Sequence, residues 1–529
     1  NADLVWECFN HFTSNEAMPG IELEVKIAVP MLESIELEEV NAAIRDLMPS
    51  RDLLIFVSAP DSEKANIPTE AEAAEIYNRI CDSKIPAWVD NVKEEPLIAQ
   101  MPTAGTIKSE KTNKKFGTTE WTLSNGMKVI LKPTDFKEDE VQFSAVSMGG
   151  YSSLAADDIY SAQLLGTLMN MSGLGNFDAI ELSKLTAGKK VNVGGNISRF
   201  ETTIYGGSSA KIDELELMLQ EIYLTFTAPR FDQKAFNTLM DRMNTIYANR
   251  ESDPNSIFNR RLSLLLTDDN QRSEPMSLAN LKKVNFERIQ AIYQQLVPGA
   301  QNYKVYIVGN INPAQLKPLA CQYLASLPKG DKRTWKDDGI RYPDHAVSST
   351  FSQKMETPKT RVAVVYGAPA KYTLDNMVNI ATIEHVLGLR NTEEIREKEG
   401  GTYGVSERGI LSNRPVTFAR MIMLFDTDPE KADALIPKVA DIFDALAQDV
   451  KEEDVLKAKL HFQKSHAEDI RRNEYWMQVL SEYETTGVDV HTDYDKLVKA
   501  LNASSVKKAY RNIFLKANKV QLVMKGYKE

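Results

Sequence analysis

The sequence predicts an α+β fold: two repeated domains, each an antiparallel-rich sheet packed against helices, preceded by the end of another α+β domain. The first observation is that residues 116–335 and 340–529 both run through strands, helices, strands and then long helices. The second is a helix–strand unit that occurs three times along the chain. The third is Asn125-Gly126 between two alternating strands, a strong signal for a β-hairpin.

In each copy of the helix–strand unit, apolar residues at helical spacing give way to a short, continuous apolar strand. The copies comprise 39–47 with 53–57, 286–296 with 305–308, and 506–514 with 520–524. They are far too widely spaced for a solenoid repeat, so we interpret each as the end of a domain-sized unit. Coincidence of a common pattern is the alternative.

The remaining elements follow from periodicity. Between the first two units, Thr69 and Glu72 are placed for a helix capping box, and Pro86, Pro96 and Pro102 indicate an extended connector. Further strands are predicted at 121–131, 141–147, 190–198, 201–207, 361–366 and 418–425. Helices are predicted at 158–171, 178–187, 211–226, 232–249 and 375–389, with more between 429 and 484.

Composition excludes several classes of protein. The chain has 529 residues, 43% hydrophobic and 26% charged, which is ordinary for a globular protein. Its formal net charge of −11 argues against a non-specific nucleic-acid binder, and no apolar run is long enough to span a membrane. Cys8, Cys81 and Cys321 form neither a disulfide framework nor a C-x-x-C pair.

Searches for common catalytic and metal-binding motifs find none. The sequence lacks G-x-x-x-x-G-K-[ST], G-x-G-x-x-G and G-x-S-x-G. None of the six histidines lies four residues from another, as the paired imidazoles of a helical zinc motif require. His461 and His466 are five apart, roughly 140° around a helix, so they are interpreted as surface or core residues.

The segment 394–405 is the most informative part of the chain. It is typical of the last turns of a charged helix, a glycine stop and then a strand, with Gly400 in the left-handed conformation and Gly401 in a sharp turn. Arg396 is expected on the final helical turns and Tyr403 at the head of the strand. A guanidinium and a phenol held there suit the carbonyls or carboxylate of a ligand. Alternatively, Arg396 only offsets the helix dipole and Tyr403 packs.

Together these features resemble the pitrilysin/insulysin family of inverted-motif zinc metallopeptidases, whose domains have the LuxS/MPP-like metallopeptidase fold. The family carries four similar domains in two halves that close around a peptide. Zinc lies on the first domain, and the fourth supplies an Arg and a Tyr that hold the substrate backbone. Arg396 and Tyr403, with Gly400 and Gly401 between them, match that spacing. The stretch 121–126 resembles the opening of a family domain.

The resemblance implies a domain assignment. Residues 1–60 would be the end of a second domain, 61–115 a linker, 116–335 an inactive third domain, and 340–529 the fourth. Because a helical pattern starts within the first residues, the chain looks like a fragment that begins inside a domain. Gln163-Leu164-Leu165-Gly166-Thr167 stands where an active domain has H-x-x-E-H, so no catalytic or metal-binding residue is expected in this chain.

The function implied by the resemblance is the C-terminal, substrate-binding half of a zinc endopeptidase. Its partners would be a peptide substrate and the N-terminal catalytic half, in the same polypeptide or as a separate subunit, which would bind the zinc. A periplasmic or cell-envelope location is implied in the same way. The alternative is a non-catalytic scaffold or a peptide- or protein-binding subunit of the same fold.

Overall fold

A computed structural model describes residues 2–47, 53–59, 66–84, 86, 89 and 93–528. The chain divides into two compact units, residues 1–90 and 91–529. No helix among the described residues is long and apolar enough to cross a membrane.

The first unit is helical throughout its regular structure. Its helices are α1 (Ala2–Ser14), α2 (Ile21–Glu33), α3 (Leu37–Leu47) and α4 (Glu70–Cys81). The predicted capping box of α4 is confirmed, because the Thr69 hydroxyl accepts from the Glu72 amide at 3.3 Å while the Thr69 amide donates to the Glu72 carboxylate at 2.8 Å.

The strand predicted at 53–57 is wrong. These residues are irregular, and Leu54 and Phe56 are 87% and 85% exposed. A strand is stable only when another strand pairs with its backbone, and the described residues of this unit form none. The helix of this copy is present as α3, so the repeated helix–strand unit occurs in full only at its other two positions.

The second unit contains two sheets. The first has the strand order β1-β2-β3-β7-β4-β6-β5, antiparallel except between β3 and β7. Its strands are β1 (Ile107–Asn113), β2 (Thr118–Leu123), β3 (Lys128–Pro133), β4 (Val141–Met148), β5 (Val191–Ile197), β6 (Glu201–Ser208) and β7 (Tyr303–Gly309). The predicted hairpin is confirmed: Gly126 has φ +92°, and the buried Asn125 amide donates to the carbonyls of Leu324 and Leu327 at 2.7 and 3.0 Å.

Helices cover one face of the first sheet, and their apolar sides form the core with it. They are α5 (Ile159–Ser172), α6 (Ala179–Leu185), α7 (Ile212–Thr227), α8 (Gln233–Ser252), α10 (Leu278–Leu281), α11 (Phe286–Leu296) and α12 (Pro313–Leu319), with a π-helical turn at Ala320–Leu324. A further helix, α9 (Pro254–Leu265), follows α8. The core includes Met218, Ile222, Ile289, Val305 and Ile307, all fully buried. The charged and proline-rich stretch 328–346 then runs on without regular structure.

The second sheet has the order β10-β11-β9-β12-β8, antiparallel except between β12 and β8. Its strands are β8 (Val347–Lys354), β9 (Thr360–Pro369), β10 (Ser406–Ser412), β11 (Phe418–Thr427) and β12 (Asn518–Tyr527). The helices are α13 (Leu374–Asn391), α14 (Ala432–Ala445), α15 (Glu452–Asp469), α16 (Asn473–Thr486), α17 (Tyr494–Ala500) and α18 (Ala503–Ile513), with a π-helical turn at Thr392–Lys398.

The two sheets repeat one topology. The order β3-β7-β4-β6-β5 corresponds strand by strand, and in strand sense, to β8-β12-β9-β11-β10. This confirms the predicted α+β class with repeated, antiparallel-rich sheet domains.

One helix of each repeat packs against the sheet of the other repeat. Trp476, Val479 and Leu480 of α16 pack against the first sheet with Tyr306 and Val308. Phe258 of α9, fully buried, packs against the second sheet. The exchange buries apolar surface that either repeat alone would expose, so the two sheets form one continuous body.

Candidate functional site

The segment predicted to contact a ligand joins the end of α13 to the edge strand β10. The helix continues through the π-helical turn Thr392–Lys398, on which Arg396 is exposed. Gly400 has φ +56°, and its amide donates to the Arg396 carbonyl at 3.2 Å, which closes the helix. The left-handed glycine stop inferred from the sequence is therefore present.

The glycine pair that follows is anchored to the body of the domain. Ile395 is fully buried. The Thr427 hydroxyl donates to the Gly401 carbonyl at 2.6 Å, and a Cβ on Gly401 would lie 2.5 Å from Leu435 Cδ1. Lys431 donates to the Gly400 carbonyl at 3.1 Å. Contacts from β11 and from the start of α14 thus fix the position of this surface segment.

Tyr403 is 99% exposed and stands at the tip of this segment. It does not begin the next strand, as predicted, because β10 starts only at Ser406. The Thr402 hydroxyl is instead 3.2 Å from the Gly404 amide, and this local turn keeps the backbone around Tyr403 out of the sheet. Full exposure also contradicts the alternative that Tyr403 packs, as far as the described residues are concerned.

The side chains of Arg396 and Tyr403 are unpaired among the residues that the structure describes. Among the described residues, neither side chain makes a hydrogen bond, an ion pair or a ring contact, and no hydrogen bond joins the two. Neighbouring charges are engaged: Lys398 pairs with Glu394 at 2.6 Å, and Lys438 pairs with Glu399. The segment therefore presents a guanidinium and a phenol whose donors are unused.

The strand that follows has a half-buried carboxyl near its start. Glu407 of β10 accepts a hydrogen bond from the Asn391 amide at 2.6 Å. Burial raises the pKa of Glu407 to about 7, although the Asn391 hydrogen bond acts in the opposite direction. Among the described strands β10 pairs only with β11, so its outer edge is available for a further strand.

Residues 163–167, which stand where an active family domain would have H-x-x-E-H, do not fit zinc. Gln163 and Thr167 are exposed on α5, while Gly166 is buried where a Cβ would collide with the Gly195 carbonyl oxygen of β5. No side chain larger than hydrogen fits at 166 unless α5 and β5 separate. The described part of the chain contains no group of three or more His, Cys, Asp or Glu residues that could hold a metal ion.

The histidine that the sequence placed beside Glu384 belongs to a packed pair. The rings of His385 and His461 stack with centroids 5.1 Å apart. Burial, together with the neighbouring His461, lowers the pKa of His385, which favours a neutral His385 ring at neutral pH.

Sequence reasoning missed a groove of about 920 Å³ between the first sheet and α16. Its walls include Gln142 of β4, Asn192 of β5, Tyr205 of β6, and Gln478 and Glu482 of α16. Because α16 belongs to the other repeat, no local pattern could predict that these residues meet.

Comparisons with known proteins agree with this geometry. Residues 283–461 match the family described as the Peptidase M16 inactive domain. A zinc protease PQQL-like protein of Arabidopsis thaliana is 24% identical over 488 residues, covering 89% of this chain and 48% of the relative. A probable zinc protease PqqL of Haemophilus influenzae is 20% identical over 433 residues, covering 81% of this chain and 46% of the relative. The chain spans about half the length of the curated relatives it matches.

Solved structures show the same fold. The periplasmic protease PqqL from Escherichia coli matches with a TM-score of 0.74 at 17% identity, covering 99% of this chain and 58% of that chain. A peptidase M16 inactive domain from Pseudomonas fluorescens matches with a TM-score of 0.65 at 17% identity, covering 78% of this chain and 98% of that chain.

The repeated sheets define an α+β fold of the kind seen in M16 peptidase domains. Residues 283–461 match the family of the Peptidase M16 inactive domain, and the resemblance of the chain to the pitrilysin/insulysin peptidases is confirmed.

Proposed function

We propose that this chain is the C-terminal, substrate-binding half of a zinc endopeptidase. The observation that carries the proposal is the pair Arg396 and Tyr403, exposed and without partners among the described residues, on a segment that β11 and α14 anchor. Relatives named as zinc proteases, which are about twice as long, support it.

In this proposal Arg396 and Tyr403 donate hydrogen bonds to main-chain carbonyls of an extended peptide. The guanidinium offers several donors in a fixed plane and the phenol offers one, so together they can fix both position and direction of the peptide. The free edge of β10, which starts three residues after Tyr403, offers backbone groups in line with such a peptide.

The zinc is proposed to lie on an N-terminal catalytic half, as part of the same polypeptide or as a partner subunit. Zinc would supply a Lewis acid and an activated water there. Gly166 leaves no room for a catalytic carboxylate at that position of α5, and in this proposal the residues of this chain bind and orient the peptide. We propose the periplasm as compartment, since the Escherichia coli PqqL structure is that of a periplasmic protease.

The same proposal assigns the domains. Residues 1–60 would close a second domain and 61–115 would form a linker. Residues 116–335 would be the third, inactive domain, and 340–529 the fourth, which carries Arg396 and Tyr403.

The test is steady-state kinetics of the full-length enzyme on a peptide substrate. Arg396→Ala and Tyr403→Phe should each lower kcat/KM by on the order of 10- to 1000-fold, the scale of losing an oriented hydrogen bond near the reacting centre. Arg242→Ala, exposed on α8, and Tyr527→Phe, 46% exposed at the end of β12, are matched controls that should leave kcat/KM unchanged. Wild-type kinetics in both site variants would refute the proposed roles.

A further inference from the structure

A small cavity lies beneath the edge strand β5 of the first sheet, between α5, α6 and α7. Its volume is about 200 Å³. Since one water needs roughly 10–15 Å³ on this scale, the space is large enough for a long side chain. The walls are mostly apolar, with Met169 and Leu174 at one side and Leu182 and Val193 at another.

One carboxyl group faces this cavity. Glu221 of α7 lines it and is only 5% exposed. Its side chain makes no hydrogen bond or ion pair with any described residue, although its main-chain carbonyl accepts from the Thr225 hydroxyl at 2.9 Å. A buried carboxyl without a partner costs free energy, which a bound donor would recover.

No other charge on the described elements around the cavity competes for that carboxyl. α5 and β5 contain no acidic or basic residue. The charged residues of the other two elements do not line the cavity: Glu181 and Lys184 of α6, and Asp213, Glu214 and Glu216 of α7. Burial alone raises the pKa of Glu221 to about 7. When ionised, Glu221 is therefore an isolated negative charge in apolar surroundings.

The cavity opens beside a strand edge that can accept a partner. β5 ends the sheet and pairs only with β6 among the described strands. Gly194 faces the Tyr205 ring, whereas Gly195 lies against α5, so the alternate residues Val193 and Gly195 face the cavity side. A strand added beside β5 would place every second side chain on that same side.

We propose that β5 and this cavity bind an extended peptide segment through a lysine whose ammonium group contacts Glu221. The aliphatic stem of a lysine suits the walls formed by Met169, Leu174 and Leu182, and its compact charge suits a single carboxylate. An arginine would bury five donors, whereas the described residues that line the cavity offer, besides Glu221, only Asn170 and Thr225 as polar side chains. The proposal takes its ligand class from the proposed peptide-binding function, but its site lies on the other sheet from Arg396 and Tyr403.

The test uses two heptapeptides of alternating threonine and valine, with either lysine or norleucine at the centre. Binding to the chain of residues 1–529 is measured at pH 8 by fluorescence anisotropy. The lysine peptide should bind the wild type about 10-fold more tightly, the scale of one charge-assisted hydrogen bond. Glu221→Gln should bind both peptides equally, because the amide keeps the shape and removes the charge.

Two further variants separate this site from general effects. Glu216 is on the same helix but outside the cavity, and its carboxylate accepts from the Tyr323 hydroxyl at 2.6 Å. The control variant Glu216→Gln should therefore keep the preference for lysine. Leu182→Trp, at a half-buried wall position, should fill the cavity and weaken binding of the lysine peptide at least 10-fold.

Three outcomes would overturn the proposal: equal affinity of the wild type for both peptides, no detectable binding of either, or a lysine preference that survives in Glu221→Gln. A missing lysine preference, or one that survives in Glu221→Gln, overturns this proposal alone, whereas no detectable binding of either peptide would also count against peptide binding at Arg396 and Tyr403. Loss of turnover in the full-length enzyme would not depend on Glu221.

Discussion

The two sheets share one topology but present different chemistry at corresponding edges. In the first, a left-handed Gly188 at φ +76° precedes β5, a strand with no charged residue. In the second, Gly400 at φ +56° precedes β10, and the adjoining segment carries Arg396 and Tyr403. One repeat thus displays exposed donors beside its edge strand, while the other hides a single acceptor, Glu221, beneath it. The same sheet topology therefore carries different side-chain chemistry at the two edge strands, β5 and β10.

The largest expected difference between the repeats is in how closely helix and edge strand approach. A Cβ at Gly166 of α5 would collide with the Gly195 carbonyl, whereas one at Gly388 of α13 would lie 3.3 Å from the flexible Glu407 carboxylate. Gly166→Ala should therefore lower the free energy of unfolding by about 3 kcal/mol. Gly388→Ala should change it by no more than about 1 kcal/mol, in either direction.

Urea denaturation followed by circular dichroism measures both variants. Equal losses would show that the two repeats pack alike and that the close approach of α5 to β5 is not a real difference. Gln163→His, at an exposed position of the same helix, is the control and should stay within about 0.5 kcal/mol of the wild type.

The next difference concerns pH. The pKa of Glu221 is about 7 in the folded protein against an ordinary value of 4.5, so the folded state holds a proton that the unfolded state has released between those values. The contribution of Glu221 to the free energy of unfolding should therefore be highest below pH 4.5. It should fall by up to about 3 kcal/mol as the pH rises to 7.

Glu221→Gln should remove that decline, which thermal unfolding from pH 5 to pH 8 would detect. Glu407→Gln is the comparison in the other repeat, and its effect should be smaller because Glu407 is partly exposed and hydrogen-bonded to Asn391. A Glu221→Gln protein whose stability falls with pH as steeply as the wild type would contradict the assignment.

The smallest effect distinguishes the two glycine turns. Gly188 and Gly400 both have positive φ, and a Cβ added at either would meet no atom within 4 Å, so an alanine at either position should cost about 1 kcal/mol from the backbone alone. Only Gly400→Ala should also lower kcat/KM of the full-length enzyme, since it shifts the segment that carries Arg396 and Tyr403. Equal activity losses in the two variants would remove the functional distinction between the turns.

Much of this architecture follows from local sequence. Periodicity and turn chemistry suffice for the Asn125-Gly126 hairpin, the Thr69 capping box and most strands of both sheets, because these depend on neighbouring residues. The strands β1 and β8 were not predicted. The apolar run 53–57 shows the limit, since a strand also needs a partner that its own sequence cannot specify.

Some features of the candidate site could likewise be predicted from the sequence, and others could not. The glycine stop at Gly400 could be predicted, because one residue type favours that backbone conformation. The support from Thr427 and Leu435 could not, because those residues follow in separate elements. Glu221 was also missed: an acidic residue on an amphipathic helix is usually solvated, and only the packing of α5, α6 and β5 around it shows otherwise.

The most direct measurement of the central claim is photo-crosslinking in the full-length enzyme. A benzoylphenylalanine replaces Tyr403, or Tyr527 as control, and a labelled peptide substrate is added before irradiation. If Tyr403 contacts the peptide, the label should attach to the residue-403 variant several-fold more than to the residue-527 variant, and excess unlabelled peptide should suppress it. Equal labelling of the two variants, or none at residue 403, would contradict the account.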